Sequence, residues 1–331
     1  MSDDERWIDA ALALAGRGLG RTAPNPSVGC LLVNGGRVVG RGWTQPGGRP
    51  HAEAEALAQA GSAARGATAY VTLEPCAHVS ARGPSCTDGL IAAGVARVVA
   101  AMVDPDARTA GQGVDRLRAA GIDVAIGVRE AAARRAIAGF LMREAHGRPF
   151  VTLKLAMSID GRIAMADGRS RWITGEMARA HAHLLRARSD LIVVGRGTLE
   201  ADDPSLDVRL AGLEDRAPRI AVMSRSLMAV PAGRNAARSD TLVIDGPAAI
   251  DGIDGVNDVL VEGGAAVAAA CLAADRVDRI AVYRAPIVIG GGLAGVGDIG
   301  LADLADAHGR WRASDSRRLG NDRLEVYDRT R

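Results

Sequence analysis

The stretch Thr68-Ala69-Tyr70-Val71-Thr72-Leu73-Glu74-Pro75-Cys76-Ala77-His78 decides how this chain is read. Residues 68–73 form an apolar, β-prone run that reads as a buried strand, and Glu74-Pro75-Cys76 ends it. A cysteine just past a strand end sits where α/β folds place their sites. Upstream, His51-Ala52-Glu53 opens an Ala/Glu/Leu-rich helix running to about Ala64, and downstream Cys86 opens a helix through Ala93. His51, Cys76 and Cys86 supply one imidazole and two thiolates, which leaves the fourth tetrahedral position open for water, as catalytic zinc requires. Zinc brings the pKa of such a water towards neutrality, and Glu53 is free to shuttle protons. The positive end of a helix dipole favours a thiolate at Cys86. H-x-E followed by P-C and a second Cys is the zinc nucleobase-deaminase signature, which points to loss of ammonia from an amino-substituted ring. A lone His-x-Glu or a lone Cys usually means nothing; the strand-to-Pro-Cys context and the second Cys at a helix start carry the joint reading. Cys30, in an apolar strand, and Cys271, in an Ala-rich helix, read as core. His78 reads equally well as a substrate contact or a cap on the loop.

Composition narrows the field. A length of 331 residues suggests two domains, and 48% apolar residues let each half bury a core. The 41 basic and 39 acidic residues nearly cancel without any run of like charge, so nothing supports nucleic-acid or membrane-surface binding. Aromatics at 3% leave little for base-stacking platforms. The acidic start, Met-Ser-Asp-Asp-Glu-Arg, is no signal peptide, and no apolar run is long enough to span a membrane. A soluble cytoplasmic protein is expected, in which spaced cysteines bind metal rather than pair.

Strand and helix patterns alternate throughout, which gives an α/β class for both halves. The first half reads as helix 4–16, a hairpin of strands 27–33 and 37–42 around Asn34-Gly35-Gly36, strands 96–103 and 122–126, and helix 129–144. His146-Gly147-Arg148-Pro149 breaks that helix and sets the domain boundary, giving domains 1–146 and 147–331. The second half reads as strands 150–157, 190–195, 218–223, 241–244, 258–262 and 279–284, with helix 175–188 and a helix after Gly264. Residues 229–240 and 245–257 read as surface loops. Gly195-Arg-Gly197-Thr198 lacks the last glycine of a Rossmann fingerprint. Gly263-Gly264 reads equally as a phosphate cradle or a tight turn.

Several motifs closely resemble the bifunctional riboflavin-biosynthesis deaminase/reductase family. In the first half these are Ala23-Pro24-Asn25-Pro26-Ser27-Val28-Gly29-Cys30, His51-Ala52-Glu53 and the 68–78 run. In the second half they are residues 153–162, Ser170-Arg171-Trp172-Ile173-Thr174-Gly175, residues 198–209 and Val261-Glu262-Gly263-Gly264. The resemblance implies an N-terminal cytidine-deaminase-like α/β/α domain and a C-terminal dihydrofolate-reductase-like α/β domain. It implies zinc-dependent deamination of 2,5-diamino-6-(5-phosphoribosylamino)pyrimidin-4-one. NADPH reduction of the ribosyl group then gives 5-amino-6-(5-phosphoribitylamino)uracil. Carried over, His51, Cys76 and Cys86 hold zinc, Glu53 shuttles the proton and Asn25 helps position substrate. Ala156, Trp172, Thr198 and Asp202 contact NADP, with Gly264 and its helix start under a phosphate. Ser170, Arg186, Leu206, Arg209 and Glu262 bind substrate, the two arginines suiting a phosphate. Lys154 serves catalysis by polarising the reacting carbon or by holding the sugar. The resemblance also implies a homodimer through the C-terminal domain.

The chain departs from the family pattern at four places. Its 76–86 loop is one residue longer, the stretch after Arg209 is shorter, residues 219–224 end in Met223-Ser224 where the family commonly has Asp, and Gly263-Gly264 are followed by Ala265-Ala266 rather than bulkier or hydroxyl residues. Two alternatives stand beside the bifunctional reading: a deaminase with a non-catalytic dimerisation or nucleotide-sensing second domain, and a deaminase acting on RNA, against which charge and aromatic content argue.

Overall fold

The computed structural model describes residues 1–78 and 83–331, which form two compact units, Met1–His146 and Gly147–Arg331. The lengthened part of the 76–86 loop, residues 79–82, lies outside the described residues.

The first unit runs α1 (Asp3–Ala15), β1 (Gly29–Asn34), β2 (Arg37–Trp43), α2 (Ala52–Ala60), β3 (Thr68–Val71), α3 (Cys86–Ala93), β4 (Arg97–Ala100), α4 (Gln112–Ala119), β5 (Asp123–Ile126), α5 (Glu130–Ala136) and α6 (Ala138–His146). Its sheet order is β2-β1-β3-β4-β5. The β2-β1-β3 pairings are antiparallel, and β3, β4 and β5 run parallel. Ser2 caps α1 in a reciprocal capping box with Glu5. Side chains alternate across a strand, so Gly29 and Cys30 face opposite sides of the sheet. A Cβ on Gly29 would strike the Ala11 carbonyl of α1, whereas one on Gly42, the β2 partner of Cys30, would strike the Ala52 carbonyl of α2. Hence α1 and α2 cover opposite faces and the unit is a three-layer α/β/α sandwich. The close approach of backbone to backbone is what demands glycine at both positions.

The second unit runs β6 (Phe150–Met157), β7 (Arg162–Ala164), α7 (Glu176–Ala187), β8 (Leu191–Gly195), α8 (Arg196–Asp202), β9 (Arg219–Met223), β10 (Leu242–Ile244), β11 (Asp258–Val261), α9 (Ala265–Ala273), β12 (Arg279–Arg284), β13 (Leu293–Ala294), β14 (Trp311–Leu319) and β15 (Asp322–Arg329). Its main sheet has the order β10-β9-β8-β11-β6-β12-β15-β14. It is parallel from β10 to β12 and antiparallel beyond. On β6, Val151, Leu153, Leu155 and Met157 share a core with Val267, Ala268 and Cys271 of α9. On the other face of that strand, Ala156 packs with Ala178 and Ala182 of α7. Lys154 therefore lies on the α7 face, where the helix does not seal the sheet completely.

The structure differs from the sequence expectation in detail. The helix expected over 129–144 is two helices, broken at Ile137 (φ −118°, ψ 31°). The helix from His51 stops at Ala60, where Gly61 takes φ +53°, and continues to Ala64 only as a 3-10 turn. Helices α4 and α8 and the β14–β15 hairpin were not expected from sequence. The hairpin's first strand, WRASDSRRL, is polar and largely exposed, so no apolar alternation marks it.

Candidate active sites

In the first unit, three local signals converge. His51 is the N-cap of α2, Cys86 the first residue of α3, and Cys76 follows the end of β3. His51 Nδ1 lies 3.3 Å from Cys86 Sγ and 3.6 Å from Cys76 Sγ, and all three ligand atoms fall within 4.8 Å of one another. The edge between two ligands of a tetrahedral zinc with ordinary Zn–N and Zn–S bonds is about 3.5 Å. The donor set and its spacing therefore fit zinc. The Cys86 backbone N–H donates to Cys76 Sγ at 3.3 Å. The first backbone N–H of helix α3 thus also stabilises a thiolate at Cys76. A hydrogen bond from the Cys86 thiol is the main cause holding Cys76 well below the usual thiol range, and the same bond, with burial, pushes Cys86 up. Glu53 on α2 is buried, and burial pushes its carboxyl up to about 7 against the pull of His51.

A cavity of about 210 Å³ opens beside these groups, lined by Asn25, His51, Glu53, Cys76 and His78 among others. Asn25 is seated by Gly48, at φ +83°, where a Cβ would fall 1.7 Å from Asn25 Nδ2. His78 Nδ1 meets Thr109 Oγ1 at 3.4 Å, so its ring both lines the cavity and ties the 76–78 loop to the segment before α4. Cys30 and Cys271 are fully buried in their cores, as expected.

Sequence reasoning passed over Glu74. Its buried carboxylate accepts the backbone N–H groups of Asp104 (3.2 Å), Gly111 (2.9 Å) and Val114 (3.1 Å). It thereby nails the segment immediately before Cys76 to the start of α4. The only sequence signal was an acid inside Glu-Pro-Cys.

In the second unit a cavity of about 810 Å³ brings together Lys154 and Ala156 of β6, Ser170 and Trp172 of the loop between β7 and α7, and Arg186 of α7. Thr198 and Asp202 of α8, Leu206 and Arg209 beyond it, and Glu262 at the end of β11 complete the set. Gly264 is the N-cap of α9; a Cβ there would come no closer than 3.9 Å to Thr198 Oγ1, so its backbone stays open to a ligand. The volume and this open helix start suit a dinucleotide. Trp172 is 66% exposed, with the Arg179 guanidinium 4.7 Å from its ring centroid. Asp202 and Asp203 both line the cavity, and Asp203 is held by Asn235 through its backbone N–H (3.0 Å) and side chain (3.1 Å). Leu206 is buried with φ +51°, a conformation that an L side chain adopts only when its surroundings impose it.

The two arginines expected to face a phosphate differ. Arg186 grips Glu262 through Nε (2.7 Å) and Nη2 (3.0 Å) and donates Nη1 to the Asp207 carbonyl (3.0 Å). Its guanidinium is spent on the protein. Arg209 is exposed and pairs with Asp207 at 3.0 Å. Glu262 also lies 3.6 Å from Lys154 Nζ. Burial pushes Glu262 up, but the charges of Arg186 and Lys154 outweigh it and hold the carboxyl at about 2.

Residues 1–102 match the cytidine and deoxycytidylate deaminase zinc-binding region, and residues 149–249 and 252–324 match the RibD C-terminal domain. Riboflavin biosynthesis protein RibD of Escherichia coli K12 is 42% identical, over 96% of this chain and 97% of that protein. RibD of Mycobacterium tuberculosis H37Rv is also 42% identical, over 92% and 91%. Among solved structures, Acinetobacter baumannii RibD superposes with a TM-score of 0.85 at 35% identity. A Thermotoga maritima diaminohydroxyphosphoribosylaminopyrimidine deaminase/5-amino-6-(5-phosphoribosylamino)uracil reductase gives 0.88 at 30%. Each match covers 99% of both chains.

Proposed function

The chain belongs to the RibD family of bifunctional riboflavin-biosynthesis enzymes, and we propose that its two activities divide at His146/Gly147, deamination in residues 1–146 and reduction in 147–331. It is a zinc-dependent deaminase and an NADPH-dependent reductase acting on a phosphorylated pyrimidine. The specific reading is deamination of 2,5-diamino-6-(5-phosphoribosylamino)pyrimidin-4-one, followed by reduction of its ribosyl group to ribityl. The observation that carries the first step is the His51, Cys76 and Cys86 triangle beside buried Glu53.

His51, Cys76 and Cys86 hold zinc, which when bound makes water nucleophilic at neutral pH. Glu53 accepts a proton as water adds to the ring carbon and returns one to the departing amine, which leaves as ammonia. Asn25, braced by Gly48, orients the ring. In the second unit NADPH supplies the hydride. Ala156, Trp172, Thr198, Asp202 and the Gly264 helix start bind the cofactor. Lys154, steadied by Glu262, faces the sugar, and Ser170, Leu206 and Arg209 hold the rest of the substrate. Arg186 acts on substrate by fixing Glu262 and the Asp207 carbonyl.

The protein is further read as a cytoplasmic homodimer formed through the second unit. No helix of the described residues is long and apolar enough to cross a membrane. Ile159, Ile287, Val288 and Leu293 are exposed around the small β7–β13 sheet, and Ile159 is hydrogen-bonded to Ile287 through the backbone. Contiguous exposed apolar side chains of this kind support an interface there.

The test is one assay with two readouts on zinc-loaded protein: ammonia release and NADPH loss with the diaminopyrimidine phosphate as substrate. Ammonia leading NADPH loss is expected. Ammonia without NADPH loss would leave a deaminase with a non-catalytic second unit.

A further inference from the structure

The β14–β15 hairpin carries none of the residues that line the large cavity, yet its turn is tied to the loop that does. Asp322 opens β15 and is only 3% exposed. Its Oδ2 accepts the backbone N–H of Gly175 at 2.6 Å, across 147 residues of sequence. Gly175 is the N-cap of α7. In a capping box the N-cap N–H goes to an acid three residues further on. Here that position is Ala178, buried against Leu324 of β15, and Asp322 takes the N–H in its stead. Its charge also stands at the positive end of the α7 dipole. The turn is seated beside this bond: a Cβ on Gly320 would come 3.4 Å from Met177 Sδ of α7.

The bond holds one peptide unit of the cavity loop. The N–H of the Thr174–Gly175 peptide goes to Asp322, and the C=O of the same peptide accepts Arg179 Nη1 at 2.5 Å. With both polar atoms engaged, the peptide plane cannot turn without breaking one of the two bonds. Arg179 in addition lies over Trp172, and upstream Arg171 Nη2 donates to the Asp202 carbonyl at 2.9 Å. Residues 170–174 all line the cavity. Trp172 is largely exposed, so burial does little to fix its ring. Its place is set by Arg179 and by the backbone on either side, and the downstream anchor is the clamped peptide two residues away.

We propose that Asp322 is a positioning residue of the reductase: by fixing the Thr174–Gly175 peptide it orders the 170–174 loop in advance and holds Trp172 where the cofactor meets it. A loop already ordered loses less entropy on binding, so this bond is expressed as cofactor affinity. The inference rests on the placement of Trp172 at NADPH given above.

The test is equilibrium binding of NADPH, by calorimetry, to wild type, D322A, W172A and the double variant, each as the full zinc-loaded chain. D322A should raise the dissociation constant roughly 10-fold, the scale of one charge-assisted hydrogen bond and the ordering it secures. W172A should raise it by at least as much. Once Trp172 is gone, removing Asp322 should raise it by no more than about a further twofold, because the two act through one contact. D322N keeps an oxygen that can accept the Gly175 N–H but not the charge at the helix end, so it should lose only about threefold, and that loss too should vanish in the W172A background. It carries the same comparison if D322A does not fold. Unchanged affinity in D322A, or losses that multiply in the double variant, would confine Asp322 to the fold and leave the Trp172 placement standing. W172A that binds NADPH as tightly as wild type overturns that placement and the inference with it.

Discussion

The Glu262 carboxylate, at the end of β11, bridges two cations from different elements: the Arg186 guanidinium of α7 at 2.7 Å and the Lys154 ammonium of β6 at 3.6 Å. The cavity is lined by five cations, Lys154, Arg171, Arg179, Arg186 and Arg209, and three acids, Asp202, Asp203 and Glu262. With Glu262 ionised it answers only one of its two half-buried partners and the wall stays net positive, which suits a phosphorylated substrate.

Glu262 makes stability depend on pH in a defined window. Its folded pKa, about 2, lies below its ordinary value of 4.5, so its contribution is fully present above about pH 4.5 and is lost as pH falls towards 2. The full contribution is on the order of 3 kcal/mol. His183 also faces this cavity, and burial holds its pKa below the usual imidazole range. Glu262→Gln leaves Arg186 and Lys154 without their anion and should destabilise the second unit by about 3–5 kcal/mol at pH 7. Urea unfolding of both proteins from pH 2 to 7 checks this. The wild-type advantage should shrink below pH 4.5, and a constant difference would show that Glu262 does not titrate as stated.

Glu74 should prove as important to metal binding as its neighbour Cys76. Glu74→Ala strands three N–H groups, two of them buried, and should cost about 2–4 kcal/mol. Because the same carboxylate anchors the residue before Pro75-Cys76, zinc affinity should fall 10- to 100-fold, as for other outer-shell partners. Competition with a chromophoric chelator measures this. Unchanged affinity alongside lost stability would confine Glu74 to the fold.

These two acids mark where sequence reading stops. His51, Cys76 and Cys86 were legible because each sits at an element end that carries its own local signal: an N-cap position, a strand ending in Pro-Cys and a helix start. Parallel strands such as β8, LIVVG, were legible because both faces are buried and the sequence is continuously apolar. Glu74 meets partners as far as 40 residues away, and Arg186 meets Glu262 across 76. No local pattern encodes such a pairing, so Arg186 looked like a free phosphate ligand. The β14–β15 hairpin was missed for the opposite reason: its edge strand is exposed, and polar residues leave no alternation to read.

Two adjacent glycines separate backbone strain from substrate positioning. Gly47 and Gly48 both have positive φ, +77° and +83°. A Cβ on Gly47 meets nothing within 4 Å, whereas one on Gly48 would overlap the Asn25 amide. Gly47→Ala should lose about 1 kcal/mol of stability through backbone conformation alone, with deamination unchanged. Gly48→Ala bears the same backbone penalty and also displaces Asn25, so kcat/KM for ammonia release should fall roughly 10- to 100-fold. Equal kinetics in the two variants would remove Asn25 from substrate positioning.

The deaminase roles separate by a pair of substitutions read with metal analysis. Glu53→Gln is nearly isosteric and keeps the buried position on α2, so zinc should stay stoichiometric while ammonia release falls about 10²- to 10⁴-fold. Cys86→Ser removes one of the three metal ligands, so zinc and activity should be lost together, with lower thermal stability of the first unit. Both variants should still oxidise NADPH when given the deaminated intermediate, because every residue placed in the reductase cavity belongs to Gly147–Arg331. Loss of zinc from Glu53→Gln would make that carboxylate a metal ligand and reassign the proton transfer. Loss of NADPH oxidation in either would mean that reduction requires an intact first unit.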